Sequence, residues 1–492
     1  MLSRLRIAPA VAILGVASAL PARAASHPPA LGYEVEAGPG AAVLKVEARI
    51  APPLGELTVD DGLGRFVADP EAWDGHRWQP VEQRGDLLLL GTCRKPCRLR
   101  YGFRLQDAAR TLRDRTRALD HEGAFLAPPS SWLARPVAAV GGRYRLTVRT
   151  PPGTTFVTGL FPSQGAVPDT YEADVADLAE SPYSGFGAFA ISEVEVPGGT
   201  VEMAVAPGAL DLPGRALIAW VAASARAVAG YYGRFPVPRV LVMVLPGGRR
   251  PIGFGTTMGN GGASIMIWVG RSAGEQDLAR DWVLTHEMVH LGIPNLPRAQ
   301  RWLEEGLATY IEPLARARQR RLAEEEVWRG LLSGLPKGLP QPGDEGLNRT
   351  HTWGRTYWGG ALFSFLADLE IRQRTGGRRA LDDALRGIVQ AGGSIAVRWP
   401  IERFLREGDR ATGTTVLDEL YQRHAEAAAG VDLAELWRRL GVSVTPEGVR
   451  FDDSAPMSAV RRGLTAPLSS APAGSDRDYG PAASGHVLYR RR

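Results

Sequence analysis

Residues 285–292 read THEMVHLG, and residues 302–310 read WLEEGLATY. In an α-helix, residues four positions apart lie on the same face, so His286 and His290 can approach one ion. A proline-containing turn after His290 would let a second, antiparallel helix bring a carboxylate of the second segment back to the histidines. Two histidines, one carboxylate and an open position for water are the ligand set of a catalytic zinc site. The two segments together therefore predict one Zn²⁺ per chain.

Glu287 follows the first histidine and lies slightly round the helix from it. From there it reaches a water on the ion without binding the ion, so it is the candidate general base. The competing interpretation is a pair of core histidines that are satisfied by hydrogen bonds. The other histidines of the chain are scattered, and this distribution favours the metal site.

Composition limits the classes of protein to which the chain can belong. It has 492 residues, 44% hydrophobic and 23% charged, which supports a sizeable core and two or three domains. The formal net charge of +5 comes mostly from arginines that are scattered among acidic residues. A nucleic-acid surface needs basic residues concentrated on one face, so nucleic acid is not an expected partner.

The N-terminus has the pattern of a secretory signal peptide over residues 1–24. A short basic segment precedes the apolar residues 7–20, and Ala22-Arg23-Ala24 matches a small-x-small cleavage site. The apolar run is too short to span a bilayer, so we expect a soluble periplasmic or secreted protein without a membrane span. Outside the cytosol, Cys93 and Cys97 are expected to form a local disulfide; two inert thiols are the alternative.

The pattern along the chain predicts an α+β protein with a β-sandwich-like N-terminal domain, residues 25–205. Residues 206–445 form the second domain, with a small sheet that includes strands 239–246 and 264–269 and a helical subdomain. A glycine-rich loop is expected over 251–263. Residues 446–492 are expected to be a C-terminal extension that is mostly disordered. Helices are predicted over 213–233, 276–292, 300–326, 356–375, 379–390, 400–407, 414–427 and 432–440.

HEMVH followed by WLEEGLATY resembles the gluzincin zinc peptidases, in which the glutamate of a W-L-x-E-G-x-A pattern is the third ligand. This resemblance selects Glu305 over Glu304 and implies a thermolysin-like domain. Residues 356–386 and 230–246 are similar to the glycyl aminopeptidase family in particular, over about residues 205–440. Many members of that family carry a C-terminal PDZ domain, but only about fifty residues follow the last predicted helix, so we do not expect one here.

The same resemblance implies further site residues. Tyr357 matches a Y-x-x-G pattern whose tyrosine donates to the oxyanion beside the zinc, and Gly360 is the glycine of that pattern. A core tyrosine is the alternative interpretation of Tyr357, and His351 is a weaker alternative donor. Thr309 is either an outer partner of a zinc ligand or ordinary packing.

Substrate contacts are expected from the glycine-rich loop. Gly255, Asn260 and Gly261 would let a peptide backbone approach, and strand 264–269 is the candidate edge strand for it; a flexible hairpin loop is the alternative. Related aminopeptidases hold the substrate amine with the glutamate of a Gly-x-Met-Glu-Asn loop, whereas residues 253–262 contain no acid. We therefore expect an aminopeptidase-like peptidase with relaxed dependence on a free N-terminus. The alternatives are an endopeptidase, a hydrolase of non-peptide substrates and a catalytically silent binding module.

Overall fold

The structure is a computed structural model that describes residues 30–51, 54–91, 97–163 and 168–467. The predicted signal peptide, Cys93 and the last 25 residues, 468–492, lie outside this part of the chain. Within it, the helices are all too short or too polar to cross a membrane. Cys97 is buried and is not a free thiol, but its pairing with Cys93 stays a prediction.

The N-terminal domain is built from three sheets. The strand order is β14-β12-β1-β2-β8-β4-β5 in the largest sheet, β13-β15-β10-β9 in the second and β11-β3-β7-β6 in the third. Alternating residues of β1 and β2 are buried, so one face of the large sheet covers an apolar core, as the sequence pattern predicts. The strands are β1 Leu31–Ala37, β2 Leu44–Ile50, β3 Glu56–Thr58, β4 Val67–Trp73, β5 Trp78–Pro80, β6 Glu82–Arg84, β7 Leu87–Leu89, β8 Cys97–Phe103, β9 Leu119–His121, β10 Ala124–Leu126, β11 Arg135–Pro136, β12 Arg143–Arg149, β13 Thr155–Thr158, β14 Thr170–Asp174 and β15 Ser184–Gly187, and the helices are α1 Leu105–Leu112 and α2 Pro129–Trp132.

A five-stranded mixed sheet begins the second domain. It contains β16 Ala190–Val196, β17 Gly199–Val205, β18 Arg239–Pro246, β19 Ile252–Met258 and β20 Ser264–Val269, in the order β16-β17-β18-β20-β19. The central strand β18 is buried along nearly its whole length, as its continuous apolar run predicts. One face of the sheet packs on helices, and the other packs on the second sheet of the N-terminal domain.

Two predictions about this sheet are wrong. The domain boundary at residue 205 falls after the hairpin β16–β17, but that hairpin pairs with β18 and belongs to the second domain. Residues 252–258 of the predicted glycine-rich loop form a strand, so β19 is the edge strand and β20 lies inside the sheet. Glycines weaken strand propensity, and only pairing with β20 decides the conformation of this segment.

Helices cover the sheet and form the rest of the domain. They are α3 Gly214–Tyr232, α4 Glu275–Arg280, α5 Val283–Val289, α6 Arg301–Arg318, α7 Glu324–Gly334, a π-helix Gly354–Gly359, α8 Gly360–Thr375, α9 Leu381–Gln390, α10 Ile401–Thr412, α11 Val416–His424 and α12 Leu433–Leu440. The predicted helices 276–292 and 300–326 are each divided in two. At the first break, Asp281 leaves the helical conformation and its side chain accepts from the backbone N–H groups of Val283 and Leu284.

Residues 446–467 of the predicted C-terminal extension are ordered, and its remaining residues, 468–492, lie outside the part of the chain that the structure describes. The hairpin of β21 Val442–Thr445 and β22 Gly448–Phe451 is followed by α13 Ser458–Thr465. Buried Arg461 of α13 donates to the carbonyl oxygens of Leu440 and Gly441, at the end of α12. The guanidinium therefore satisfies carbonyls that the helix itself leaves unpaired.

Candidate active site

Helix α5 carries the first predicted histidine ligand, His286, and the second, His290, follows it directly in a 3₁₀ turn, His290–Gly292. His286 and His290 are four residues apart, and their rings lie edge to face with centroids 5.2 Å apart. Asp281 fixes the start of this helix, because its second carboxylate oxygen also accepts from Trp220 Nε1 at 3.0 Å. A buried carboxylate with three donors holds the helix against α3, and thus sets the positions of both histidines.

Helix α6 brings the carboxylate. Glu305 Oε2 lies 3.5 Å from His286 Nε2 and 3.7 Å from His290 Nε2, and the three ligand atoms lie within 4.8 Å of one another. Ligands about 2.0–2.1 Å from a tetrahedral zinc ion are about 3.3–3.4 Å apart. The two distances from Glu305 Oε2 are within a few tenths of an ångström of this value, and the three atoms together are close enough to hold one ion. The other carboxylate oxygen, Oε1, is 3.5 Å from Arg301, one helical turn earlier.

The pKa shifts of the three groups differ, because burial and the interactions between Glu305 and the histidines act on them in opposite directions. Burial opposes ionisation of Glu305, but its hydrogen bond to His286 and the nearby positive charges dominate and lower its pKa to about 2. Burial lowers the pKa of His290, which is then neutral, as a metal ligand must be. Burial also acts to lower the pKa of His286, but the Glu305 carboxylate outweighs it and the pKa is raised. A proton therefore competes with a metal ion for His286.

Glu287 lies beside the cluster and is 8% exposed. Its Oε2 is 2.6 Å from the hydroxyl of Thr257 on β19. Gly255 lies on the same strand, and a Cβ added there would be 2.3 Å from Glu287 Cγ. The carboxylate is therefore held between α5 and the edge strand.

Tyr357 lies in the π-helix that precedes α8. Burial raises its pKa, and the Glu305 carboxylate raises it further, so the hydroxyl is protonated at neutral pH and can donate a hydrogen bond. Gly306 of α6 lies against Gly360, since an added Cβ would be 2.1 Å from the carbonyl carbon of Gly360. The glycine of the Y-x-x-G pattern thus permits close backbone contact, which brings Tyr357 to the metal cluster.

These groups line one cleft with a volume of about 870 Å³. Three large side chains of its lining are exposed: Phe254 by 66%, Trp282 by 50% and Trp353 by 62%. They are the only aromatic residues among the exposed large hydrophobic side chains of the part of the chain that the structure describes. Exposed apolar surface of this kind marks a binding site. Arg115, from the segment after α1, is the N-terminal domain's contribution to the lining.

Other predicted site residues lie elsewhere. Asn260 donates towards Glu180 and accepts from Asn295, so it connects two loops and is not itself part of the cleft lining. Gly261 packs on Ala173, where an added Cβ would be 2.4 Å away. Of the three glycine-loop residues predicted to contact substrate, the structure therefore brings only Gly255 to the site.

Thr309 and His351, the two secondary candidates, do not contact the ligand atoms. The Thr309 hydroxyl donates to the backbone carbonyl of Glu305 at 2.8 Å, so it contacts its own helix and not the carboxylate ligand. His351 is exposed and is not part of the cleft lining.

Sequence reasoning missed several residues of the site. Arg301 stands one turn before Glu305, so helical spacing could have found it. Thr257 and Arg115 leave no local signal, because strand pairing and domain packing bring them to the cleft. Glu304, which the resemblance sets aside as a zinc ligand, also belongs to the cleft lining, and its Oε1 accepts from Leu296 N at 2.8 Å.

The structure combines an N-terminal β-domain with a second domain that carries a cluster able to hold a metal ion. Neither a family model nor a curated protein matches the chain. Among solved structures, it is similar to the aminopeptidase N family protein from Idiomarina loihiensis, with 15% identity, a TM-score of 0.64 and coverage of 84% of this chain and 79% of that chain. It is also similar to the M1 zinc metallopeptidase from Deinococcus radiodurans, with 16% identity, a TM-score of 0.49 and coverage of 80% and 91%. The first likeness confirms the aminopeptidase-like fold; the resemblance to glycyl aminopeptidases in particular stays a prediction.

Proposed function

We propose that this chain is an exported zinc-dependent metallopeptidase that hydrolyses peptide bonds and is aminopeptidase-like. One observation carries the proposal. The ligand atoms of His286, His290 and Glu305 lie within 4.8 Å of one another, and Glu287 lines the same cleft. Three protein ligands leave one position of a tetrahedral ion for water, and this is the arrangement of catalytic zinc sites.

The chain's own residues have distinct tasks in this reaction. A zinc ion at the cluster would supply a Lewis acid that polarises the substrate carbonyl and makes a water nucleophilic at neutral pH. Glu287 accepts the proton of that water at its carboxylate and passes it to the leaving amine. Tyr357 donates its hydroxyl proton in a hydrogen bond to the carbonyl oxygen as negative charge develops there.

The edge strand supports binding of an extended peptide. Residues 254–257 of β19 line the cleft, and β19 has a paired strand on one side only. An edge strand offers unpaired backbone groups to which a peptide can add. The absence of a side chain at Gly255 leaves room for the Glu287 side chain beside the strand. The sequence analysis predicted that strand 264–269 pairs with the substrate backbone, but this strand lies inside the sheet.

Charge in the cleft favours relaxed recognition of the substrate amine. β19 contains no acidic residue. Glu304 is the acid nearest the ligands along α6, but burial raises its pKa to about 7 and one of its oxygens is already bonded to Leu296 N. A carboxyl group that is partly protonated at neutral pH is a weak partner for an ammonium group. Cleavage of N-blocked peptides is therefore the second candidate activity.

Export and substrate preference rest on the sequence. The signal-peptide pattern of residues 1–24 supports a periplasmic or secreted location, and the glycyl aminopeptidase resemblance supports small N-terminal residues as substrates. The exposed aromatic side chains of the cleft favour peptides with apolar groups next to the cleaved bond.

The test uses the purified mature chain with a set of free-amine and N-acetylated peptides. We expect zinc-dependent hydrolysis that Glu287→Ala lowers by at least about 100-fold, with the zinc content unchanged, because the glutamate handles a proton and does not bind the ion. Parent-like hydrolysis by Glu287→Ala, or no hydrolysis of any peptide by the zinc-loaded parent, would contradict the proposal.

A further inference from the structure

The edge strand β19 presents two residues to the candidate general base. Gly255 and Thr257 are two positions apart, so they face the same side of the strand. That side is turned towards α5, because an added Cβ at Gly255 would lie 2.8 Å from Glu287 Cδ and 2.9 Å from Glu287 Oε1. The geometry of the strand therefore limits where the glutamate side chain can go.

The Thr257 hydroxyl makes the polar part of this contact. It lies 2.6 Å from Glu287 Oε2 and 2.9 Å from the backbone oxygen of Glu287. The shorter contact is that expected for a hydroxyl donating to a carboxylate, which is stronger than a bond between neutral groups. Oε2 is thus engaged, whereas Oε1 remains free to accept a proton.

A glutamate side chain has several rotatable bonds and loses considerable entropy when it is held in one conformation. A base must lie within about 2.6–3.2 Å of the proton it accepts, so a freely rotating carboxylate would spend much of its time out of reach. The Thr257 hydroxyl holds one carboxylate oxygen, and the Gly255 backbone lies against the rest of the side chain. Other conformations of Glu287 are therefore excluded before substrate binds.

We propose that Thr257 is a positioning residue, which together with the bare backbone of Gly255 holds the Glu287 carboxylate in its proton-accepting orientation. The proposal rests on the proposed function, because it takes Glu287 as the general base. Thr257 and Glu287 are thirty positions apart in sequence and lie on different elements, β19 and α5. The contact has no part in holding the metal, since neither Thr257 nor Gly255 belongs to the three-residue ligand cluster.

The first test removes only the hydroxyl. Thr257→Val keeps the shape of the side chain, and we expect it to lower kcat by about tenfold to 100-fold, the rate equivalent of a lost hydrogen bond to a charged group. KM, zinc content and zinc affinity by competition with a chelator should stay near the parent values. Thr257→Ser keeps the hydroxyl and should restore kcat to within about threefold of the parent.

The second test displaces the Glu287 carboxylate by a substitution at Gly255. Gly255→Ala would push the Glu287 side chain aside and should lower kcat with zinc retained. Gly214→Ala is the matched control, because nothing lies within 4 Å of a Cβ added there; it should leave kcat unchanged. The double variant Gly255→Ala/Thr257→Val should lose less than the product of the two single losses, since both act through one group.

Several results would overturn the proposal. These are a kcat for Thr257→Val within about twofold of the parent, equal losses in the valine and serine variants, or a change confined to KM. If Thr257→Val has a parent-like kcat and Glu287→Ala is inactive, this inference is wrong but the proposed function is retained. Activity retained in Glu287→Ala would remove both.

Discussion

Glu305 and Glu304 are adjacent, both line the cleft, and only the first is placed to bind zinc. Replacing Glu305 by glutamine keeps the shape of the side chain and exchanges the anionic ligand for a neutral amide. Glu304→Gln is the matched control one residue away. We expect the first variant to lose zinc affinity and the second to keep it.

The size of the effect follows from the geometry. Oε2 of Glu305 is 3.5 Å and 3.7 Å from the two histidine nitrogens, so it would supply one of three protein ligands to a zinc ion at this cluster. Loss of a residue that only orients a ligand weakens metal binding about 10- to 100-fold, so loss of the ligand itself should cost at least about 100-fold. At a zinc concentration 1,000 times the parent Kd, binding stabilises the fold by about 4.1 kcal/mol; a 100-fold weaker site retains about 1.4 kcal/mol.

The assay is chemical unfolding with and without zinc, together with chelator competition for Kd. The zinc-dependent difference is taken within each variant, because Glu305→Gln also removes the ion pair with Arg301. The expected loss in this difference is about 2.7 kcal/mol for Glu305→Gln and close to zero for Glu304→Gln. The reverse pattern would mean that Glu304 is the ligand, and unchanged zinc binding in both variants would refute a carboxylate ligand from α6.

Three further predictions concern the helix cap, an acid-sensitive histidine and the substrate amine. Asp281→Ala should destabilise the fold by about 1–3 kcal/mol and weaken zinc binding, since the carboxylate caps α5 and accepts from Trp220; unchanged urea unfolding would contradict this. Burial lowers the pKa of His424 to about 4, so the folded state disfavours its protonation and stability is lost as the pH falls from about 6.5 towards 4. The shift corresponds to at most about 3 kcal/mol, and solvent screening reduces it to about 1–2 kcal/mol; His424→Gln should flatten this part of the unfolding profile, and a parent-like pH slope would count against it. N-acetylation of a peptide substrate should lower kcat/KM by less than about 100-fold, or 2.7 kcal/mol; a larger loss that Glu304→Gln abolishes would identify Glu304 as an amine anchor.

Local periodicity accounts for the parts of the site that the sequence predicts. His286 and His290 share a face because the helix repeats every 3.6 residues, and the helix after the turn carries the nearby carboxylate. The same periodicity locates α3, α6 and α8 to within a few residues at one or both ends. It misplaces the helix breaks, because Asp281 and the segment after Arg318 interrupt apolar patterns that are themselves continuous.

What the sequence by itself determined is therefore the α+β class, the candidate ligand set and the candidate base, since these depend on residues close together along the chain. Only the tertiary structure decided that β19 and not β20 is the edge strand, that Thr257 meets Glu287, and that Arg115 reaches the cleft. The physical reason is that strand order and domain packing depend on contacts between segments far apart in sequence. A glycine-rich strand such as β19 has little side-chain pattern of its own, so its conformation and neighbours are set by the sheet that it joins.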